Sequence, residues 1–272
     1  MEIQLSASAT DVRVEPQAGA LGAYIHGVDI NTLSAAESRE LIYGALNRHQ
    51  VLCVRSQAMT PDQHLRFSSS FGDVYRQPVV QGKVDYPDIV EVRGTVPLTE
   101  SWHSDSTHSK RPPALTILMA RVLPDYGNDT MFANQHAAYW TLSPAMRAML
   151  DPLKALHRTS TANSALYVGT GVVEESLHPV VRTHPRTGEK ALFVNRQYTK
   201  HFDGMTEGES RPLLEFLYEH GARPEFTWRH RWRPGDLLVW DNASVQHCVV
   251  GDRPGKSDRL LDRVTVLGEE PF

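Results

Sequence analysis

The run from Phe226 to Trp232 sets the first limit on the fold. Phe226, Trp228, His230 and Trp232 alternate with Thr227, Arg229 and Arg231, the period-two pattern of a strand whose sheet has two unlike faces. Pro234-Gly235 then turns the chain into a second apolar run, Leu237 to Trp240, with no room for a helix between them. Further strands are expected over Leu21 to Ile30, Val51 to Val54 and Arg259 to Leu267. Helices are expected after the capping box Ser34-x-x-Glu37, after Thr60-Pro61-Asp62-Gln63 with Gly72 as its stop, after Ser143-Pro144, and after Thr206 with Glu209. In each case a side-chain oxygen stands ready to accept from an early backbone N–H. Leu41, Ile42, Ala45 and Leu46 give the first helix its buried face. The regular strand–helix alternation of a doubly wound sheet is missing, as are repeats and low-complexity linkers. One α+β, mainly β domain over residues 1–272 is the expectation, and a jelly-roll or double-stranded β-helix barrel with flanking helices would suit it. Periodicity alone does not choose that topology.

Composition narrows the partners. A net charge of -4 and a pI near 6.3 leave no basic stripe for nucleic acid or anionic lipid, and no apolar run approaches the length of a membrane span. The first residues, MEIQLSASATDVRVEP, have neither the basic nor the apolar stretch of a signal peptide. A cytoplasmic protein acting on a small molecule is expected. Cys53 and Cys248 sit in the apolar runs VLCV and HCVV, the setting of small buried hydrophobes instead of a disulfide or a CxxC site.

His103-Ser104-Asp105 places an imidazole and a carboxylate two residues apart, so in an extended segment both point the same way and can reach one metal. His247, in the run Trp240 to His247, is the candidate third ligand. Two His and one carboxylate on one face of a metal leave positions open for a bidentate cosubstrate and O2. The spacing alone is weak evidence. With 13 His and 16 Asp in 272 residues, about one His-x-Asp pair arises by chance under a composition count, and a second pair, His201 and Asp203, reads as a loop leading into a helix. Two His and a carboxylate would equally serve zinc in a hydrolase, and a barrel that binds a small anion without turning it over is a further alternative.

Six stretches decide more. GALGAYIHGVDI, RHQVLCVRSQAMTPDQHLRFSSSFG, WHSDSTHSKRPPALTILMARVLPDYGNDT, HPVVRTHPRTGEKALFVN, WRPGDLLVWDNASVQH and DRLLDRVTVLG occur in the order, and with the character, of the taurine dioxygenase and 2,4-dichlorophenoxyacetate dioxygenase family, which the chain resembles over almost its whole length. The resemblance implies a double-stranded β-helix fold and an Fe(II)- and 2-oxoglutarate-dependent dioxygenase. It puts the iron on His103, Asp105 and His247. It puts the far carboxylate of 2-oxoglutarate on Thr130, in Gly127-Asn128-Asp129-Thr130, and on Arg259, with Arg263 taking the anionic group of a substrate. A guanidinium fork suits a carboxylate bidentately, and Asn128 tolerates the left-handed turn that a glycine would otherwise supply. Read without the resemblance, Arg259 would be a surface ion-pair residue, and Arg263 could pair internally with Asp262 or Asp258.

The resemblance further implies that O2 is consumed, that succinate and CO2 are released, and that a small carboxylate, sulfonate or phosphonate is oxidised, most simply by hydroxylation. Asp105 argues against halogenation, because related halogenases lack that carboxylate. Substrate contacts of the taurine enzyme fall on Gln77, Val80 and Thr99, none of which keeps the family residue, so taurine itself is disfavoured. Tyr198 falls where the family often has an aromatic pocket wall. Trp102, Trp240 and Asn242 are expected to pack and orient the ligands, His108 to stay off the metal, and Phe226, Trp228 and Trp232 to be core. Related enzymes often form dimers or tetramers, so a homo-oligomer is expected.

Overall fold

The computed structural model describes residues 12–76, 82–94, 101–159, 174–252 and 258–272. Its strands, in chain order, are β1 (Arg13–Pro16), β2 (Ala23–His26), β3 (Val51–Val54), β4 (Val90–Arg93), β5 (Pro113–Val122), β6 (Thr130–Asn134), β7 (Lys154–Arg158), β8 (Glu175–Pro179), β9 (Val181–Thr183), β10 (Lys190–Leu192), β11 (Thr199–Phe202), β12 (Thr227–His230), β13 (Leu237–Asp241), β14 (Val245–Val249) and β15 (Leu260–Leu267). The helices are α1 (Ala35–His49), α2 (Pro61–Ser69), α3 (Gln135–Trp140), α4 (Pro144–Leu150) and α5 (Glu207–Gly221). None is long and apolar enough to cross a membrane.

The expected helix starts are found with their caps. Ser34 and Glu37, Thr60 and Gln63, and Thr206 and Glu209 each form the reciprocal capping box, while the Ser143 hydroxyl accepts from the Met146 N–H. Each cap contributes about 1 kcal/mol by satisfying N–H groups that the helix itself leaves unpaired. Gly72 does not stop α2 as expected. The helix ends at Ser69, and Ser70 and Phe71 close it by donating back to Phe67 and Ser68, so Gly72, at φ +144, serves the chain's exit two residues later. The strands are also shorter than the apolar runs that announced them. Leu21 to Ile30 contracts to β2, because Gly22 and Gly27 have positive φ and Ile30 enters a short 3-10 turn. Phe226 lies in another such turn before β12, and Trp232 follows its end.

One sheet has the order β1-β2-β3-β13-β5-β15-β4, and a second, β12-β6-β14, faces it; β11-β7-β8 and β10-β9 are smaller. Pairing is antiparallel except between β2 and β3. The described strands are not hydrogen-bonded into a closed barrel. Alternation splits the large sheet cleanly. Leu115, Ile117 and Met119 of β5, with Leu237 and Val239 of β13, pack under α1 and α2 against Leu41, Ile42 and Leu46. Leu118, Ala120, Leu238 and Trp240 point the other way, onto Phe132, Trp228 and Val245 of the smaller sheet. Removing a core indole such as Trp240, only 1% exposed, costs about 3–5 kcal/mol. A third cluster joins α3 and α5 to β7, β9, β10 and β11. Cys53 and Cys248 are buried free thiols, as expected.

Several histidines are buried in this core as neutral rings. Burial pushes His64 and His108 down to about 4, and holds His157 well below the ordinary imidazole value. Released into water, each ring takes up a proton near pH 6.5. The unfolded chain therefore binds more protons than the folded one between about pH 6.5 and 4, and stability is full above that window and falls as pH drops through it. The urea midpoint of the metal-free protein should accordingly be lower at pH 5 than at pH 7. Equal midpoints would contradict the burial of these rings.

Candidate active site

The segment carrying His103 and Asp105 is joined to β14 by one bridge. The His103 N–H donates to the His247 carbonyl at 3.0 Å and the His247 N–H to the His103 carbonyl at 2.7 Å. A directly opposed pair holds its side chains side by side, and the two imidazole rings lie 4.2 Å apart. Asp105, two residues on, joins them from the turn over residues 105–108, in which Ser106 has φ +47. The Ser104 hydroxyl pins this segment to the Val245 carbonyl at 2.6 Å. Asp105 Oδ1 lies 3.9 Å from Nε2 of both His103 and His247. That is too long for a hydrogen bond but within the reach of two metal bonds of about 2.1 Å each. The three candidate ligand atoms lie within 4.8 Å of one another.

Protonation suits a divalent cation. His103 Nδ1 lies 2.9 Å from the Ser101 carbonyl, which fixes the proton there and turns the Nε2 lone pair toward Asp105. Burial lowers His103, and pushes His247 down to about 3 with help from the charge of His103, so both rings are neutral donors at pH 7. Burial by itself would raise the Asp105 carboxyl, but His247, Arg263, His103 and the Thr116 hydroxyl together hold it below its ordinary value. Two neutral imidazoles and one carboxylate are a fitting donor set for Fe(II).

Thr116 is a part of the site that the sequence reading passed over. On β5 it shares the inner face with Leu118, and its hydroxyl donates to Asp105 Oδ2 at 2.6 Å. Asn242 completes the brace: its Nδ2 donates to Thr116 Oγ1 at 2.8 Å, while its Oδ1 accepts from Trp240 Nε1 at 3.0 Å and from the Asp105 N–H at 3.4 Å. Trp240 packs its ring 4.8 Å from that of His247. The expected orienting roles of Trp240 and Asn242 have this geometry behind them, whereas Trp102 is half-buried with no such bond among the described residues. The one available signal for Thr116 was a lone hydroxyl inside the apolar run ALTILMA.

A second group lies on the same interior. Thr130 opens β6 after Asn128, which takes the left-handed conformation at φ +57. Its hydroxyl accepts from Trp232 Nε1 at 3.0 Å and lies 3.5 Å from Arg259 Nη2. Arg259 is 2% exposed, which excludes a surface ion pair; burial pulls it down to about 10, so it keeps its charge at pH 7. Trp232 is thus more than core, since its ring also lies 5.7 Å from the Arg259 guanidinium. Arg259 precedes β15 instead of starting it, and the register shifts between Leu260 and Leu261. Even so, Arg263 acts on the same interior, since its charge bears on Asp105, His103 and His247. Asp262 points to the opposite face, toward Arg121 at 2.7 Å and Lys83 at 2.7 Å, and so is taken.

Tyr198 is buried with its ring 6.4 Å from His103 and 5.0 Å from His108, in place to wall a pocket. His108 lies 3.6 Å from Glu174 and outside the ligand cluster. Gln77, Val80 and Thr99 lie outside the described residues. His201 lies within strand β11 instead of in a loop, and Asp203 is exposed beyond its end, so that pair does not converge. Cys53, His230 and Asp236 also cluster closely, but Arg55 already holds Asp236 at 2.6 Å, so a cation would have to enter beside a guanidinium.

Residues 13–265 match the family model described as taurine catabolism dioxygenase TauD, TfdA family. An alpha-ketoglutarate-dependent sulfate ester dioxygenase of Pseudomonas putida is 35% identical, over 97% of this chain and 92% of its own. An alpha-ketoglutarate-dependent 2,4-dichlorophenoxyacetate dioxygenase of Burkholderia sp. (strain RASC) is 33% identical, over 87% of each. The crystal structure of a taurine dioxygenase from Burkholderia xenovorans superposes with a TM-score of 0.86 at 36% identity, covering 96% of this chain and 91% of that one.

Replacing Thr116 by Val keeps the shape and removes the donor to Asp105. The affinity for Fe(II), or for Mn(II) as a stable probe, should fall about tenfold or more, the usual scale for losing an outer hydrogen bond to a metal ligand, and the thermal midpoint should also fall, because the buried Asn242 amide loses its acceptor. An unchanged affinity would remove Thr116 from the site.

Proposed function

The chain belongs to the TauD/TfdA family of dioxygenases that use Fe(II), 2-oxoglutarate and O2, and on that premise we propose that it hydroxylates a C–H bond of a small organic anion. His103, Asp105 and His247 hold the metal in this reading, Thr130 and Arg259 hold the cosubstrate, and Arg263 receives the substrate's charged group. The class is a carboxylate, sulfonate or phosphonate; the sulfate ester and chlorophenoxyacetate in the relatives' names add further anions of the same character. The observation that carries the reading is the convergence of His103, Asp105 and His247, with ligand atoms within 4.8 Å of one another, together with a buried Arg259 guanidinium 3.5 Å from the Thr130 hydroxyl. A guanidinium fork beside a directed hydroxyl suits the far carboxylate of a dicarboxylate cosubstrate, and the charge of Arg263, which bears on all three proposed ligands, suits an anionic substrate.

When bound, the metal and 2-oxoglutarate supply the oxidation: O2 and 2-oxoglutarate yield succinate, CO2 and a hydroxylated product. The residues provide binding and aim. Arg259 offers its fork to the far carboxylate, Thr130 adds a hydroxyl whose direction Trp232 constrains, and this fixes the cosubstrate's reach to the triad. Asp105, braced by Thr116 and Asn242, keeps its charge and orientation. Arg263 and the Tyr198 ring set which substrate carbon faces the metal. The two facing sheets, linked through the Trp240 and Phe132 layer, are read here as the opened form of a double-stranded β-helix. The chain is read as working in one piece over its length, in a reducing cytoplasm compatible with its two buried free thiols.

The test is succinate release coupled to consumption of candidate alkyl sulfonates, sulfate esters, phosphonates and aryloxyacetates. Arg263→Ala should lower kcat/KM for the best of them by about a hundredfold, the scale of a lost charge-assisted hydrogen bond, with uncoupled 2-oxoglutarate turnover retained. Normal turnover in that variant would end the proposal of an anionic substrate.

A further inference from the structure

A second cationic cavity lies outside the proposed catalytic site. It has a volume of about 280 Å³, and its walls include Arg111, Arg182, Arg186, Asp241 and Glu269. Arg182, the middle residue of β9, is 4% exposed, with its guanidinium 4.8 Å from the Phe193 ring centre. Among the described residues no hydrogen bond or ion pair reaches that guanidinium, and its Nε is fully buried without a partner. Ring stacking offsets part of the cost of burying a cation, but its N–H groups still call for acceptors.

The neighbouring acids do not answer that need. Asp241 is claimed by the Arg186 guanidinium, by His184 Nε2 at 2.9 Å and by the Ala243 N–H at 3.0 Å. It acts on Arg182 only as a more distant charge, as does Glu269, which is exposed at the rim. Arg111 is held by the Gly268 carbonyl at 3.0 Å, which keeps a second guanidinium on the same wall. Three arginines against two carboxylates leave the cavity positive, and its size falls just below that of ordinary small-molecule pockets, about 300 Å³ and upward.

We propose that this cavity is a site for a compact tetrahedral oxyanion, of which sulfate and phosphate are the simplest members, with Arg182 as its anchor. A fixed guanidinium fork suits such an anion, and the stacked ring holds the fork ready. The site is separate from the one served by Arg259 and Arg263 and does not depend on the catalytic reading.

The test uses protein loaded with Mn(II) and 2-oxoglutarate, titrated calorimetrically with sodium sulfate at constant ionic strength, then repeated with phosphate. Arg263→Met should keep a sulfate site, while Arg182→Met should weaken it by more than about tenfold, as expected for losing charge-assisted hydrogen bonds. Arg111→Ala, at an exposed position, provides a second variant if Arg182→Met fails to fold. Crystals soaked in selenate should show an anomalous peak beside Arg182. Sulfate binding that disappears with Arg263→Met and survives Arg182→Met and Arg111→Ala, or a soaked cavity in which the Glu269 carboxylate lies on Arg182, would overturn the proposal.

Discussion

The two backbone hydrogen bonds between His103 and His247 are the contact on which the rest of the site depends. They join a segment without regular secondary structure to strand β14, and so convert residues 144 positions apart in the sequence into cross-strand neighbours. Because the partners are opposed, their rings leave the backbone side by side, and the period of two then brings Asp105 to the same place. Everything nearby braces that arrangement: Ser104 on the Val245 carbonyl, Ser101 on the His103 ring, and Thr116 and Asn242 on Asp105. Few of these groups would have a reason to be buried if the bridge were absent.

Charge balance links this bridge to function. The interior around the triad holds Asp105, two neutral imidazoles and the buried Arg259, and the charge of Arg263 bears on all three proposed ligands. A divalent metal beside Asp105 and a guanidinium on the same interior would together suit an anionic ligand that reaches both. The opposite face of β15 is handled differently. There Asp262 is met by Lys83 and Arg121, each at 2.7 Å.

Much of this was legible in the chain because local rules govern it. The helix starts carry side-chain oxygens that accept from their own early N–H groups, and each appears where Ser34, Thr60, Ser143 and Thr206 announce it. The alternation at Phe226 to Trp232 located β12 but overran it, since apolar side chains continue inward through the turns at either end. Helix α3 escaped notice because six residues carry too little periodicity, and its cap, Asn134, is also the last residue of a strand. The proposed ligands were recognisable through resemblance, not spacing: His201 and Asp203 have the same spacing and do not converge. Thr116, Trp232 and Arg182 were not legible, because their roles arise from strands far apart in the sequence that pairing alone brings together.

The central claim is that His103, Asp105 and His247 form one iron site able to receive 2-oxoglutarate held by Arg259. It is tested most directly by adding Fe(II) and then 2-oxoglutarate to the metal-free protein under anaerobic conditions, while following the weak visible charge-transfer absorption of chelated 2-oxoglutarate. The account predicts that the band appears with the native chain, needs much more 2-oxoglutarate in Arg259→Ala, and is lost in His103→Ala. A native protein that binds iron without developing the band, or a His103→Ala variant that keeps it, would contradict the assignment.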